Sequence, residues 1–479
     1  MRKRTLLIAT ALTSGLLTAL PVTGAAAAPS GLAGDFNGDG YRDLAIGASS
    51  ADAGSVPYAG AVVVLYGSSS GVSAAKKTVI TQNSAAVPGA AEDGDRFGNS
   101  LAAGDLDRDG YSDLVVGAEH EAIGDRDGIG SVTVLWGGAS GLSGGAALPQ
   151  PSRLSEWGGY SAGVATGDFD GDGDTDVTAT GQSRTYLYQG PFTRTGTPAG
   201  HQGVDELGST YSVFAGDITG DRAAERVYPF GVDGDSAGAV HYMRHDPGNW
   251  DAHPESDYAL TELPHADGLD GVIADVDKDG YGDVVLGDHG DPRDGNSVNG
   301  HTGGQITVWY GGPGGPDPDQ RPTVIHQDTA GVPGGGEEGD LFGAALSAGD
   351  INGDGYADIA VGAFGEDLGT KKDTGAVTVL FGSASGLTGT GAKQYAQNTT
   401  GVPGSDESHD WFGQSVRLTD LDKNGRAELV VGAGGENGYG AITVLRGTAT
   451  GLTTSGAKFL SARDVSLKGN ANFGWGFAQ

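Results

Sequence analysis

Along the chain, short β-branched runs alternate with glycine-rich turns, and few stretches show the 3.6-residue period of an amphipathic helix. Residues 44–48, 114–118, 359–363 and 429–433 form one set of runs, each ending in Gly-Ala. A second set, residues 61–67, 131–137, 305–311, 376–382 and 441–447, ends in an aromatic or arginine followed by glycine. Ser70-Gly71-Val72, Ser140-Gly141-Leu142 and Ser385-Gly386-Leu387 then turn the chain into a further strand. A Phe-Gly pair stands ahead of the first run at Phe97-Gly98, Phe342-Gly343 and Phe412-Gly413. Apolar runs this short, bounded by Gly and Ser, predict strands.

Between the Phe-Gly element and the first run lies a nine-residue acidic segment that recurs seven times. Its positions 1, 3, 5, 7 and 9 are Asp35, Asn37, Asp39, Tyr41 and Asp43, then Asp105, Asp107, Asp109, Tyr111 and Asp113. The third copy has Asp168, Asp170, Asp172, Asp174 and Asp176, and the fifth Asp275, Asp277, Asp279, Tyr281 and Asp283. The sixth reads Asp350, Asn352, Asp354, Tyr356 and Asp358, and the seventh Asp420, Asp422, Asn424, Arg426 and Glu428. The fourth, Asp217 to Glu225, is degenerate, with Thr219 at position 3 and Arg222 where the others have glycine at position 6. Starts are 70, 63, 49, 58, 75 and 70 residues apart, room for four strands and their loops. The repeat therefore predicts an all-β fold, a seven-bladed β-propeller of four-stranded antiparallel blades. The first copy has no Phe-Gly before it, while Phe473-Gly474 near the C-terminus has no acidic loop after it. The expectation is that the C-terminal segment completes blade 1 and closes the ring.

Carboxylates at positions 1, 3, 5 and 9 repel one another unless a cation sits among them. Calcium takes six to eight hard oxygen ligands in flexible geometry, and magnesium demands a stricter octahedron. Glycine at position 6 permits the turn that offers the backbone carbonyl of position 7, and the acid at position 9 can bind with both oxygens. The EF-hand pattern fails, because position 12 is Ile46 or Val116 inside a strand. A solvated acidic turn explains one such loop, but not six at one offset. Six Ca2+ sites are expected, the fourth loop excepted.

Composition narrows the partners. The net charge is −34, from 62 acidic and 28 basic residues, which argues against nucleic acid. The chain has no cysteine, so neither disulfides nor thiol chemistry operate. Met1-Arg2-Lys3-Arg4, an apolar stretch and Ala25-Ala26-Ala27 read as a signal peptide over residues 1–27, leaving 28–479 as a single secreted, monomeric propeller without a membrane span.

Phe-Gly, the acidic loop and Gly-Ala in one unit resemble the FG-GAP repeat family, which includes the N-terminal propeller of integrin α-subunits and bacterial secreted proteins. The likeness runs from Gly31 to Gln479, strongest in blades 1, 2, 6 and 7 and weakest in blade 4. The resemblance implies calcium on one face and partner binding on the other, through residues 48–58, 119–130, 364–374 and 434–439. The inter-blade segments 84–96, 329–341 and 399–411 join them. It points to a binding or adhesion module for a protein or carbohydrate. Trp157, Trp250 and Trp411 are candidate contacts. The alternative is a calcium-dependent polysaccharide-active enzyme such as a lyase, with six of the ten histidines falling between His241 and His301, near Arg244. Their spacing matches no zinc motif.

Overall fold

The computed structural model describes residues 29–479 apart from 152–153, 155–157, 182–184, 205–209, 211, 231–238, 247–257, 264 and 293–299. The signal-peptide reading, Trp157, Trp250 and His253 lie outside the described residues.

Seven four-stranded antiparallel sheets form, six of them with their strands in chain order. Blade 6 shows the pattern, with strands Phe342–Gly349, Asp358–Ala363, Ala376–Leu380 and Lys393–Tyr395. The second and third strands of a blade are buried on both faces, as in Leu44–Ala48 and Ala61–Leu65. That explains their unbroken Val, Ile, Leu and Ala content in place of polar alternation. Blade 1 takes its first strand from the other end of the chain: Gly476–Phe477 pairs with Leu44–Ala48 through Ile46 to Phe477 and Gly47 to Gly476. Phe473 is fully buried and bridges Gly440, as Phe97 bridges Gly60 and Phe342 bridges Gly304. The tail therefore closes the ring as the sequence predicts.

The core is seven clusters, one between each pair of neighbouring blades. Leu44, Ile46 and Val63 of blade 1 meet Val430, Ile442 and Val444 of blade 7. Ala360 and Val377 of blade 6 meet Leu429 and Val431 of blade 7. A single blade cannot bury both of its faces, so stability comes from closing the ring.

The Phe-Gly and Gly-Ala glycines meet at these junctions. Gly413 of blade 7 has φ +95, and a Cβ on Gly362 of blade 6 would fall 2.1 Å from its carbonyl oxygen. Gly432 stands in the same relation to Gly474, at 1.9 Å. Only glycine permits backbones to approach this closely. In blade 3 the element is Tyr160-Ser161, with Ser161 held at φ 72 and its carbonyl 2.5 Å from a Cβ placed on Gly117. A search for Phe-Gly passes over this pair. Its signal is position, since Tyr160 precedes Asp168 by the same interval as Phe97 precedes Asp105.

Candidate cation loops and the opposing face

In blades 2–7 the acidic segment is the hairpin loop between the first and second strands, and in blade 1 it leads into the second strand from the N-terminal side, so all seven open on one face of the disc. Backbone amides set the loop's shape. Asp35 Oδ1 accepts from Gly38 N at 2.7 Å and Asp39 N at 3.2 Å, and its Oδ2 from Gly40 N at 2.7 Å. Asn37 Oδ1 accepts from Asp39 N at 2.8 Å, and Asp39 Oδ1 from Tyr41 N at 3.1 Å. Positions 4 and 6 are left-handed throughout, with Gly38 at φ 72 and Gly40 at φ 86. Arg108, Lys278 and Lys423 tolerate the same conformation at position 4 with φ 60, 63 and 60.

Position 9 has a role that the spacing does not disclose. Asp43 is 7 % exposed; its Oδ2 accepts Phe36 N and its Oδ1 accepts Gly67 N, both at 2.9 Å. Asp113, Asp176, Asp283 and Asp358 repeat the pair of bonds, to Gly137, Gly190, Gly311 and Gly382 on the far side. The residue thus staples the acidic loop to the end of the third strand, and each oxygen keeps a second lone pair for a cation. Burial, opposed in part by these bonds, raises Asp43, Asp113, Asp176, Asp283 and Asp358 to about 7. The carboxylates at positions 1, 3 and 5 push in the same direction.

Three carboxylates come together with ligand atoms within 4.8 Å of one another in the second loop (Asp105, Asp107 and Asp113), the third (Asp168, Asp170 and Asp176) and the fifth (Asp275, Asp277 and Asp279). The donor set is all oxygen, which suits Ca2+ rather than zinc or copper. Arginines of the same or the neighbouring blade pair with several of these carboxylates. Arg194 pairs with Asp107 at 2.6 Å and also with Asp109, Arg446 with Asp422 at 3.2 Å, and Arg108 with Asp174. The side chain of Asp174 is thus held by arginine, which leaves position 7 only its backbone carbonyl to offer. Arg426 likewise sends its side chain away, to the Asn352 carbonyl at 3.2 Å.

The fourth loop adopts the same frame and keeps three acids, as many as the first, sixth and seventh; it differs in Thr219 at position 3 and Arg222 at position 6. Asp217 accepts Gly220 N at 2.6 Å and Arg222 N at 2.9 Å, while Glu225 accepts Ile218 N at 2.7 Å and the Thr219 hydroxyl at 3.2 Å. Thr219 supplies a proton at position 3, where four of the six intact loops present a carboxylate and the other two an asparagine.

The histidines of blades 4 and 5 take different partners. His241 packs on Phe230 at 5.1 Å and His245 on Tyr258 at 5.5 Å, both from strand Val240–His245. His301 stacks on His326 at 3.6 Å beside Asp328, a grouping that the 241–301 window leaves out.

The FG-GAP repeat family matches at residues 27–65, 97–135, 342–380 and 412–445, and an FG-GAP-like repeat at 168–228. Human integrin alpha-6 is 30% identical over 41% of this chain and 15% of its own length. Mouse integrin alpha-8 is 29% identical over 49% of the chain and 20% of its own. Mouse phosphatidylinositol-glycan-specific phospholipase D is 28% identical over 46% and 25%. The chain thus aligns with a quarter or less of these relatives' lengths.

Proposed function

Because the chain is an FG-GAP repeat protein whose propeller is integrin-α-like, we propose that it is a secreted binding module: calcium-loaded loops stiffen one face, and the other grips an extracellular protein or glycan. The observation behind this is where apolar surface is exposed. Tyr58 (51 %), Ile123 (38 %), Tyr439 (38 %) and Trp475 (42 %) are four of the six large hydrophobic side chains exposed among the described residues. All four sit at the ends of strands away from the acidic loops, over blades 7, 1 and 2, which are consecutive in the ring. An apolar group gathered on one face of a strongly acidic molecule is what a recognition surface looks like. The charge over the rest of the surface favours a selective, oriented contact over general stickiness.

Calcium explains the other face. The six intact loops present 21 carboxylates at positions 1, 3, 5 and 9, and divalent ions offset their mutual repulsion while stiffening the hairpins. The test is a glycan and cell-surface protein screen with calcium-loaded protein, repeated with Tyr58→Ala, Tyr439→Ala and Trp475→Ala. Retained capture by all three variants would reject this face. The catalytic alternative rests on the similarity to a phospholipase D. Turnover of a polysaccharide or a glycosylated phosphatidylinositol by the purified chain would establish it.

A further inference from the structure

A second group of oxygen ligands recurs on the face away from the acidic loops. At the junction of blades 6 and 7, Gln397, Glu407, Asp410 and Glu436 converge, and the three carboxylates bring ligand atoms within 4.8 Å of one another. Gln397 Nε2 donates to Glu436 Oε2, and Asp410 Oδ2 accepts from Glu407 N at 2.7 Å. The junction of blades 5 and 6 repeats the bonds with Gln327 to Glu366 and Glu337 N to Asp340, and that of blades 1 and 2 with Gln82 to Glu121 and Glu92 N to Asp95.

Two features go beyond an acidic cluster. The glutamines are 4 %, 2 % and 4 % exposed, yet Gln82 Oε1, Gln327 Oε1 and Gln397 Oε1 have no hydrogen-bond partner among the described residues. Leaving a buried amide oxygen unpaired is costly, and here the same atom is left bare three times beside carboxylates. The junction of blades 7 and 1 supplies the contrast. Counting from its phenylalanine, Phe473, and from the matching turns, Ala462 takes the glutamine's place, Ala471 the aspartate's, Ala51 the inner glutamate's and Lys468 the outer glutamate's. Those alanines are 1 %, 0 % and 0 % exposed and belong to the apolar cluster there. At junction 7/1 all four positions differ together, whereas at junction 2/3 Gln150 keeps the glutamine's place while Gly158 and Ser155 stand for the aspartate and the outer glutamate. At 7/1 the acids, the glutamine and the outer glutamate are all absent, and a lysine stands in the outer position.

We propose that each of the three polar junctions holds one hard divalent cation, ligated by the glutamine Oε1, the buried Asp carboxylate, the inner Glu carboxylate and the outer glutamate, with water completing the shell. These ions are separate from those of the acidic loops and lie at the opposite ends of the strands. The outer glutamates, Glu92, Glu337 and Glu407, are exposed and give the ion a route in from solvent. Burial and like charge raise Asp95 to about 6 and Asp340 and Asp410 to about 7, as expected where negative groups are gathered without a counter-ion. Each ion would tie the fourth strand of one blade to the loops of the next, beneath the proposed binding surface.

Crystals of the full chain grown with Mn2+ should show anomalous peaks at the junctions 1/2, 5/6 and 6/7 and none at 7/1. In solution, a variant copying junction 7/1 into junction 6/7 (Gln397→Ala, Asp410→Ala, Glu436→Ala) should bind one Mn2+ fewer than the parent. Peaks confined to the acidic-loop face, or an unchanged ion count in the folded variant, would overturn the proposal and leave these residues as a proton-sharing hydrogen-bond cluster. Should the variant not fold, the anomalous map of the unaltered protein decides alone. The loop ions appear in the same map on the other face, so failure of one set is distinguishable from failure of the other.

Discussion

The junction between blades 6 and 7 and that between blades 3 and 4 solve one packing problem in two ways. At 6/7 the apolar cluster is large, with Ile351, Val377, Val379, Phe412, Leu429 and Val431 among its members, and Gly362 lies against the carbonyl of Gly413. At 3/4 the described cluster shrinks to Ala165, Phe169, Leu187, Val213, Tyr228, Met243 and Tyr258. Thr180 and Pro229 stand at the Gly362 position in blades 3 and 4, and Arg226 stands where other blades have Leu, Ile or Val. Arg226 is fully buried, its guanidinium 4.9 Å from the Phe169 ring and 4.5 Å from that of Tyr258. Its Nε and Nη1 lack hydrogen-bond partners among the described residues. A ring tolerates a poor junction because the other six hold it in place, which is how one unit can drift while its neighbours keep the pattern.

The largest expected difference between the two regions comes from metal. On the calcium reading, each occupied loop adds about 2.7 kcal/mol at a hundredfold excess of Ca2+ over its Kd. Chelation should therefore lower the melting temperature steeply, and Asp109→Ala should remove one bound ion. Asp221→Ala, in the fourth loop, should leave the ion count as it was. An unaltered melting curve after chelation would defeat the calcium assignment.

Next in size is the close approach of backbones. Gly362→Ala should destabilise by roughly 3 kcal/mol, because neither backbone can yield 1 Å without disturbing a packed junction. Chemical denaturation measures this directly, and a neutral result would mean that the glycine contact is incidental. Arg226→Leu should act in the opposite sense, stabilising by roughly 1–4 kcal/mol by replacing a buried cation that has no carboxylate partner among the described residues with the residue type of the other blades. A loss of stability would show that the guanidinium has a partner.

The smallest effect is on pH dependence. Glu225 and Glu428, like the aspartates at position 9, are raised to about 7 by burial, from an ordinary 4.5. Between those values the folded, metal-free chain binds more protons than the unfolded chain, so its stability falls as pH rises through the window. Calcium competes with those protons, so loading the intact loops should flatten or invert the slope. Glu225→Gln should remove only its own share and leave the ion count unchanged. A metal-free melting temperature that climbs between pH 5 and pH 7 would contradict the assigned direction.

Much of this was legible along the chain. Strand order, blade number, the acidic loops and closure by the C-terminal segment all follow from repeats whose local chemistry points one way, since a nine-residue loop closes on its own backbone. What stayed hidden depends on partners far apart in sequence. The Gln82 to Glu121 bond spans 39 residues, and the staple from Asp43 to Gly67 spans 24. The sequence alone marks position 9 as an acid; only the assembled sheet shows that it also ties down the third strand. The residues decide which segments become strands and turns, because those choices are made within a few bonds. Which carboxylates face one another across a junction is decided by the packing of neighbouring blades, because that distance exists only once the ring has closed.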